Sequence, residues 1–203
     1  MKGLEITTEE KIKQAARIIF HQKGFAATRT RDIAAEAGIN LALLNYYFRS
    51  KEKLFDLIML ESIQIFLSSV KLVFDDEQTS FEVKVEQLAD KYIDQLIKHP
   101  ELPLFLLSEL RSNPESLMSK IGIKEIVMNS FFLKQFKAGV KDGKYVDINP
   151  LHLIMNLMGM TVFPFIASPI VRGMGNLSQQ AYTELMLERK TFIPMWMKAI
   201  LKT

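Results

Sequence analysis

Apolar residues recur along the chain at intervals of three and four, and no stretch alternates strictly between apolar and polar. That period belongs to helices that bury one face, and neither a β-branched alternating run nor an Asn-Gly turn marks a hairpin. The chain therefore reads as all-α. A first helix opens at "TTEE", where Thr7 and Glu10 form a capping box that satisfies free amides at a helix start. Ile12, Ala15, Ala16, Ile19 and Phe20 follow on one face, and Gly24 is expected to stop the helix by adopting a left-handed conformation. A second helix is expected over residues 31–37, capped by Thr28 or Thr30, and a third over 41–48. Ser50 caps a fourth, which carries Leu54, Phe55, Ile58, Met59, Ile65 and Phe66 and fades near "FDDEQTS".

The pattern continues with a helix over 81–98, closed by "HPELP", and a short one reaching residue 111. Another starts at "SNPES" and runs to about residue 140, with a break at Gly122. After the turn "KDGKYVDINP", two long helices are expected over 150–168 and 178–202, joined by the loop "PIVRGMGNL". There are no repeats and no low-complexity tracts.

The stretch "TRDIAAEAGINLALLNYYFRSK" breaks a good helix at one glycine and restarts it within three residues. Two short helices joined this way fit a helix-turn-helix, whose second helix enters the DNA major groove. With Thr30 as the first residue of the unit, Ala34 stands at the fifth place, where the helices cross closely. Gly38 stands at the ninth, where the turn needs a positive φ. Ile33, Ala37, Ile39, Leu44 and Tyr47 fill the inward faces in the same register, and Asn45, Tyr46 and Arg49 point outward. A helical hairpin inside a bundle would also need a glycine and small crossing residues. These helices, however, are too short to stand alone.

Composition narrows the chemistry. The 203 residues are 48% hydrophobic and 24% charged, ordinary for a protein with a packed core. The absence of cysteine excludes disulfides and thiolate metal sites and suits a reducing, cytoplasmic setting. The three histidines, His21, His99 and His152, lie far apart, which is thin material for a metal centre or a catalytic triad. No metal, cofactor or catalytic residue is expected. Charge is uneven: up to Lys53 ten basic residues face six acidic ones, so this stretch carries +4 of a net +3. A basic first quarter on a near-neutral body suggests contact with a polyanion. No leader segment is evident in "MKGLEITTEEKIKQ". The uncharged segment 148–171 is long enough to span a membrane. His152, Asn156, Pro164 and Pro169 speak instead for a buried or subunit-interface helix.

From "KIKQAARIIFHQKGFAATRTRDIAAEAGI" through "NLALLNYYFRSKEKLF" the chain resembles the N-terminal domain of TetR-family transcriptional repressors. The shared features are Ala-Ala and Phe on the first helix, Lys-Gly-Phe, a Thr before the second, "DIAAEAG", a Tyr-Phe ending the third, and "SKEKLF". The resemblance covers roughly residues 7–56 and implies a DNA-binding domain over 1–50, followed by a helical effector-binding and dimerisation domain over 51–203. It implies phosphate contacts for Thr30, Tyr46, Tyr47 and Lys51, roles that hydroxyls and an ammonium suit. It implies base-edge contacts for Arg31, Leu41, Ala42 and Asn45, where Asn can bond an adenine edge and Ala or Leu can touch a thymine methyl. The chain departs from the family pattern at Asn45, usually tyrosine, and at Leu41, often polar. Phe48 reads as core.

The resemblance further implies a ligand pocket among the fourth to eighth helices. Tyr92, Phe105, Asn129, Phe132, His152, Met155 and Phe163 are the expected lining, with Tyr92, Asn129 and His152 as polar anchors for a hydrophobic small molecule. It also implies that the last two helices pair with those of a second copy, which would cover the uncharged 148–171 segment. The leading expectation is a dimeric repressor that leaves a palindromic double-stranded operator when its effector binds, with no membrane partner. A constitutive DNA-binding protein with a filled core, or a helical enzyme with an unrecognised site, remain as alternatives.

Overall fold

The computed structural model describes residues 7–112 and 114–202, and among them the chain is built from helices. It divides into two compact units, one up to Gln64 and one from Ile65 onward, so this division falls inside a long helix.

In the first unit, α1 (Thr8–Ala27) starts as its capping box dictates, with Thr7 accepting from the Glu10 amide at 3.2 Å. Gly24 has a φ of +71° but kinks the helix instead of ending it. Thr28 is buried and donates its hydroxyl to the Gly24 carbonyl at 2.7 Å. It closes α1, and neither it nor Thr30 caps the next helix, whose N-cap is Arg29 without a side-chain bond. Then come α2 (Thr30–Glu36), α3 (Leu41–Tyr47) and the first turns of α4 (Lys51–Asp75). Ile12, Ala16, Ile33, Leu44, Leu54 and Ile58 make the core of this unit. Phe20, Phe25 and Phe55 close one side of it, their ring centroids 4.8 to 6.2 Å apart. Glu61 of α4 ties α1 down, accepting from Lys13 at 2.8 Å and from Arg17 at 2.5 Å.

The second unit centres on α5 (Phe81–Lys98), capped by Ser80 and buried along one face. Around it lie α6 (Leu102–Ser112), α7 (Pro114–Ile121), α8 (Ile123–Met128) and α9 (Phe131–Lys141). The long helix expected from "SNPES" is thus three pieces. Gly122, left-handed at φ +57°, breaks it first, and Ser130 caps a new start by accepting from the Leu133 amide. Phe81, Phe132, Phe136 and Tyr145 stack in the core. Gly139 is required there, since a Cβ would lie 2.2 Å from the Tyr145 ring.

The chain ends in α10 (Pro150–Ile166), α11 (Ser168–Gly175) and α12 (Gln179–Leu201). The expected loop "PIVRGMGNL" is mostly helix, bent 70° from α10. Pro164 lacks the amide that would bond the Met160 carbonyl, and Arg189 of α12 supplies the missing donors at 2.7 and 3.2 Å. Among the described residues α4 alone is long and apolar enough to cross a membrane. The α10–α11 pair reaches that length only as one sharply bent span.

Candidate DNA interface

The helix-turn-helix stands in the register the sequence set. Gly38 takes φ +66°, Ile33, Ala34 and Leu44 are buried, and Ala37 and Ile39 are half-buried. The turn is closed by amide bonds from Gly38 to Ala35 and from Ile39 to Ala34. Asn40, which sequence reasoning passed over, fixes the start of α3 by accepting from the Leu43 amide at 2.8 Å. An Asn just before an apolar helical run was the signal for it.

This scaffold presents Arg31, Leu41, Ala42, Asn45, Tyr46 and Tyr47 to solvent, with Thr30 half-buried at the start of α2. Tyr46 is 80% exposed and stands edge-on to Tyr47, their centroids 5.4 Å apart. Tyr47 was expected inward from the register and at a phosphate from the resemblance; at 40% exposure it lies with the outward row, while Phe48 is core.

Lys51 does not face outward. Its ammonium donates to the carbonyls of Phe25 at 2.9 Å and Thr28 at 3.1 Å, and sits 4.2 Å from the Phe25 ring centroid. It pins the end of α1 to the start of α4, so the ammonium for which a phosphate contact was expected is engaged within the chain. Lys23 is held by Asp32 at 2.9 Å, and that hydrogen bond keeps the Asp32 carboxyl below its usual range. Arg29, Arg31, Arg49 and Lys53 form no ion pair among the described residues, so their charge stays available to a polyanion. The outward row therefore combines hydroxyls and free guanidinium groups for phosphate with Asn45, Leu41 and Ala42 for base edges.

The expected pocket residues do not converge. Tyr92, Phe105 and Phe132 are buried, and Phe132 is fully enclosed, its ring packed between Phe74 and Phe81. Burial pushes the Tyr92 hydroxyl up to about 12, so it stays neutral. Asn129, His152, Met155 and Phe163 are exposed. None of the seven lines the cleft between α5 and α12 or the two shallower clefts beside it and along α4 and α5. No cluster of three or more metal-ligating side chains occurs among the described residues either.

Residues 12–58 match the family of bacterial regulatory proteins named tetR. The chain is 25% identical over 167 residues to the "Probable HTH-type transcriptional regulator YttP" of Bacillus subtilis (strain 168), covering 80% of this chain and 79% of that one. It is 29% identical over 152 residues to the HTH-type transcriptional regulator RutR of Escherichia coli (strain K12), covering 74% and 70%. A TetR/AcrR-family regulator from Thermobifida fusca YX-ER1 shares the fold with a TM-score of 0.68 at 17% identity, over 92% of this chain and 96% of that one. The matched segment holds the whole helix-turn-helix: residues 12–58 carry the DNA-binding domain of the tetR family of bacterial regulatory proteins, and the chain is a DNA-binding transcriptional regulator.

Proposed function

We propose that the chain acts in the cytoplasm as a homodimeric repressor on a palindromic double-stranded operator, and leaves it when a hydrophobic small molecule binds the unit from Ile65 onward. The carrying observation is a pair of uncovered apolar stripes. On α10, Leu151, Met155 and Phe163 are 51, 56 and 62% exposed at i, i+4 and i+12. On α12, Leu185, Phe192, Trp196 and Ile200 form another, with Phe192 and Trp196 stacked at 5.6 Å. Contiguous apolar surface of this kind rarely stays bare in water. A second copy of the same two helices covers it and brings in a second reading head. One recognition helix reads only a few base pairs, whereas two heads meet successive major-groove faces ~34 Å or a multiple apart.

In this reading Thr30, Tyr46, Tyr47, Arg29 and Arg49 hold phosphates, while Arg31, Leu41, Ala42 and Asn45 reach base edges. Sedimentation velocity of the full chain, with footprinting on the DNA upstream of its gene, tests the proposal. The expected result is a dimer protecting two half-sites of an inverted repeat. A monomer, or protection of a single half-site, would overturn it.

A further inference from the structure

Helices α5 and α12 pack along each other and part, near the end of α12, around a cleft of about 410 Å³. That volume lies in the range of small-molecule sites. Thr191, Pro194, Met195 and Lys198 form one wall, at i, i+3, i+4 and i+7, which is a single stripe of α12, and Lys202, the extended residue that caps this helix, also lines the cleft. The wall is a different stripe from Leu185, Phe192 and Trp196. Phe81 and Val85 of α5, with Met197 and Leu201 of α12, make an apolar floor. Lys144 and Tyr145 close one side.

The charges around this floor are not balanced at both ends. Glu82 accepts from the Tyr145 hydroxyl at 2.7 Å and from Lys144 at 2.6 Å, so the Lys144 charge is neutralised within the wall. Glu86 also borders an adjoining cleft that continues toward Asp90 and Lys190 and that neither Lys198 nor Lys202 lines. The negative side chain therefore sits toward the continuation. Lys198 and Lys202, both exposed, form no ion pair among the described residues and stand at the other end. An apolar trough with two unmatched ammonium groups at one end is complementary to an apolar body bearing one carboxylate.

We propose that this cleft binds an amphipathic carboxylate, its apolar body on Phe81, Val85 and Met195 and its head between Lys198 and Lys202. The proposal gives a place and a chemical class to the effector, and its link to operator release rests on the regulatory reading above. Decanoate, decanol and decyltrimethylammonium serve as probes of the full chain carrying ¹³C-methyl methionine, with Met195→Leu and Met197→Leu assigning the signals. Decanoate is expected to shift the Met195 and Met197 methyls at a concentration at least about tenfold lower than decanol does. The double variant Lys198→Gln/Lys202→Gln is expected to abolish that advantage while leaving the other methyl signals in place. Unmoved methyls, a double variant that keeps the advantage, or tighter binding of the cationic probe would overturn the proposal. Operator release measured in parallel separates the two claims. Shifted methyls without release uphold the cleft as a carboxylate site and overturn its role as the effector site. Release without a methyl shift overturns the cleft and leaves the effector reading intact.

Discussion

The ammonium of Lys51 is held by two carbonyls and an aromatic ring, so removing it costs the reading head internal contacts before any contact with DNA. Lys51→Met should lower the stability of this unit by about 1.5–3 kcal/mol, the usual worth of hydrogen bonds to a charged group. The dependence of operator affinity on salt should stay as in the parent protein. Arg49→Ala should do the reverse, leaving melting unchanged and shrinking the salt slope by about one. A Lys51→Met protein with parental melting and a smaller slope would show that the ammonium turns outward to phosphate. Asn45→Ala should relax discrimination at one base pair, at a cost of ~1–3 kcal/mol on the preferred operator. Equal weakening on every operator variant, measured by titration, would remove Asn45 from base reading. In the second unit, burial pushes the Glu82 carboxyl up, but hydrogen bonds from Lys144 and Tyr145 outweigh it and hold it at about 2, against an ordinary 4.5. A carboxylate lowered on folding stabilises above its unfolded value and loses that contribution as pH falls through its folded one. Melting of the parent protein should therefore drop more steeply than that of Glu82→Gln between pH 4.5 and about 2. Parallel curves would mean that the Glu82 bonds do not survive in solution.

At the level of elements, Gly38 shows what a turn demands. A Cβ there would touch nothing, so crowding plays no part and the φ of +66° alone selects glycine. Gly38→Val should cost ~1–2 kcal/mol for the left-handed conformation, with more for the branched Cβ, while Gly38→Asn should cost less. Operator binding should be lost in the valine variant with the second unit's melting unaltered; parental affinity would refute the register. That register was legible because glycine, small crossing residues and inward apolar positions are all local signals. Helix α5 was legible for the same reason, with Ser80 before an apolar stripe and His99-Pro100 after it. Other features were not. Gly24 carries the expected left-handed φ, yet it only kinks α1, and the helix ends at Thr28, which donates back to the Gly24 carbonyl. Helix α11 was taken for a loop, although Pro169 near its start is compatible with a helical first turn. The Arg189 bonds to the Met160 carbonyl join residues 29 apart, and a distant partner leaves no mark in local sequence.

For the whole molecule, the informative failure is α10. Met155, Phe163 and His152 were expected inside a pocket and lie on the surface of the single chain. The helix is apolar on almost every side, so its sequence has no polar face to tell which apolar residues meet the core and which meet a partner. Exposure in the folded chain separates them: Leu153, Leu157 and Phe165 are core, while Leu151, Met155 and Phe163 are uncovered. The same distinction sets up the test of assembly. Phe163→Glu changes a side chain that is 62% exposed within its own chain, so the fold of a single copy should persist. If a second copy covers that position, each protomer then buries an unpaired carboxylate, at a cost of several kcal/mol, enough to split an ordinary interface. Ile65→Glu, on a position 70% exposed outside both stripes, is the control for adding a charge to apolar surface. Sedimentation should find Phe163→Glu monomeric and helical, and Ile65→Glu dimeric. The monomer should also lose specific operator affinity, because one head reads too few base pairs to distinguish its site from bulk DNA. A Phe163→Glu protein that stays dimeric would place the interface elsewhere. A monomer that still binds the palindrome as tightly as the parent would break the link between assembly and recognition.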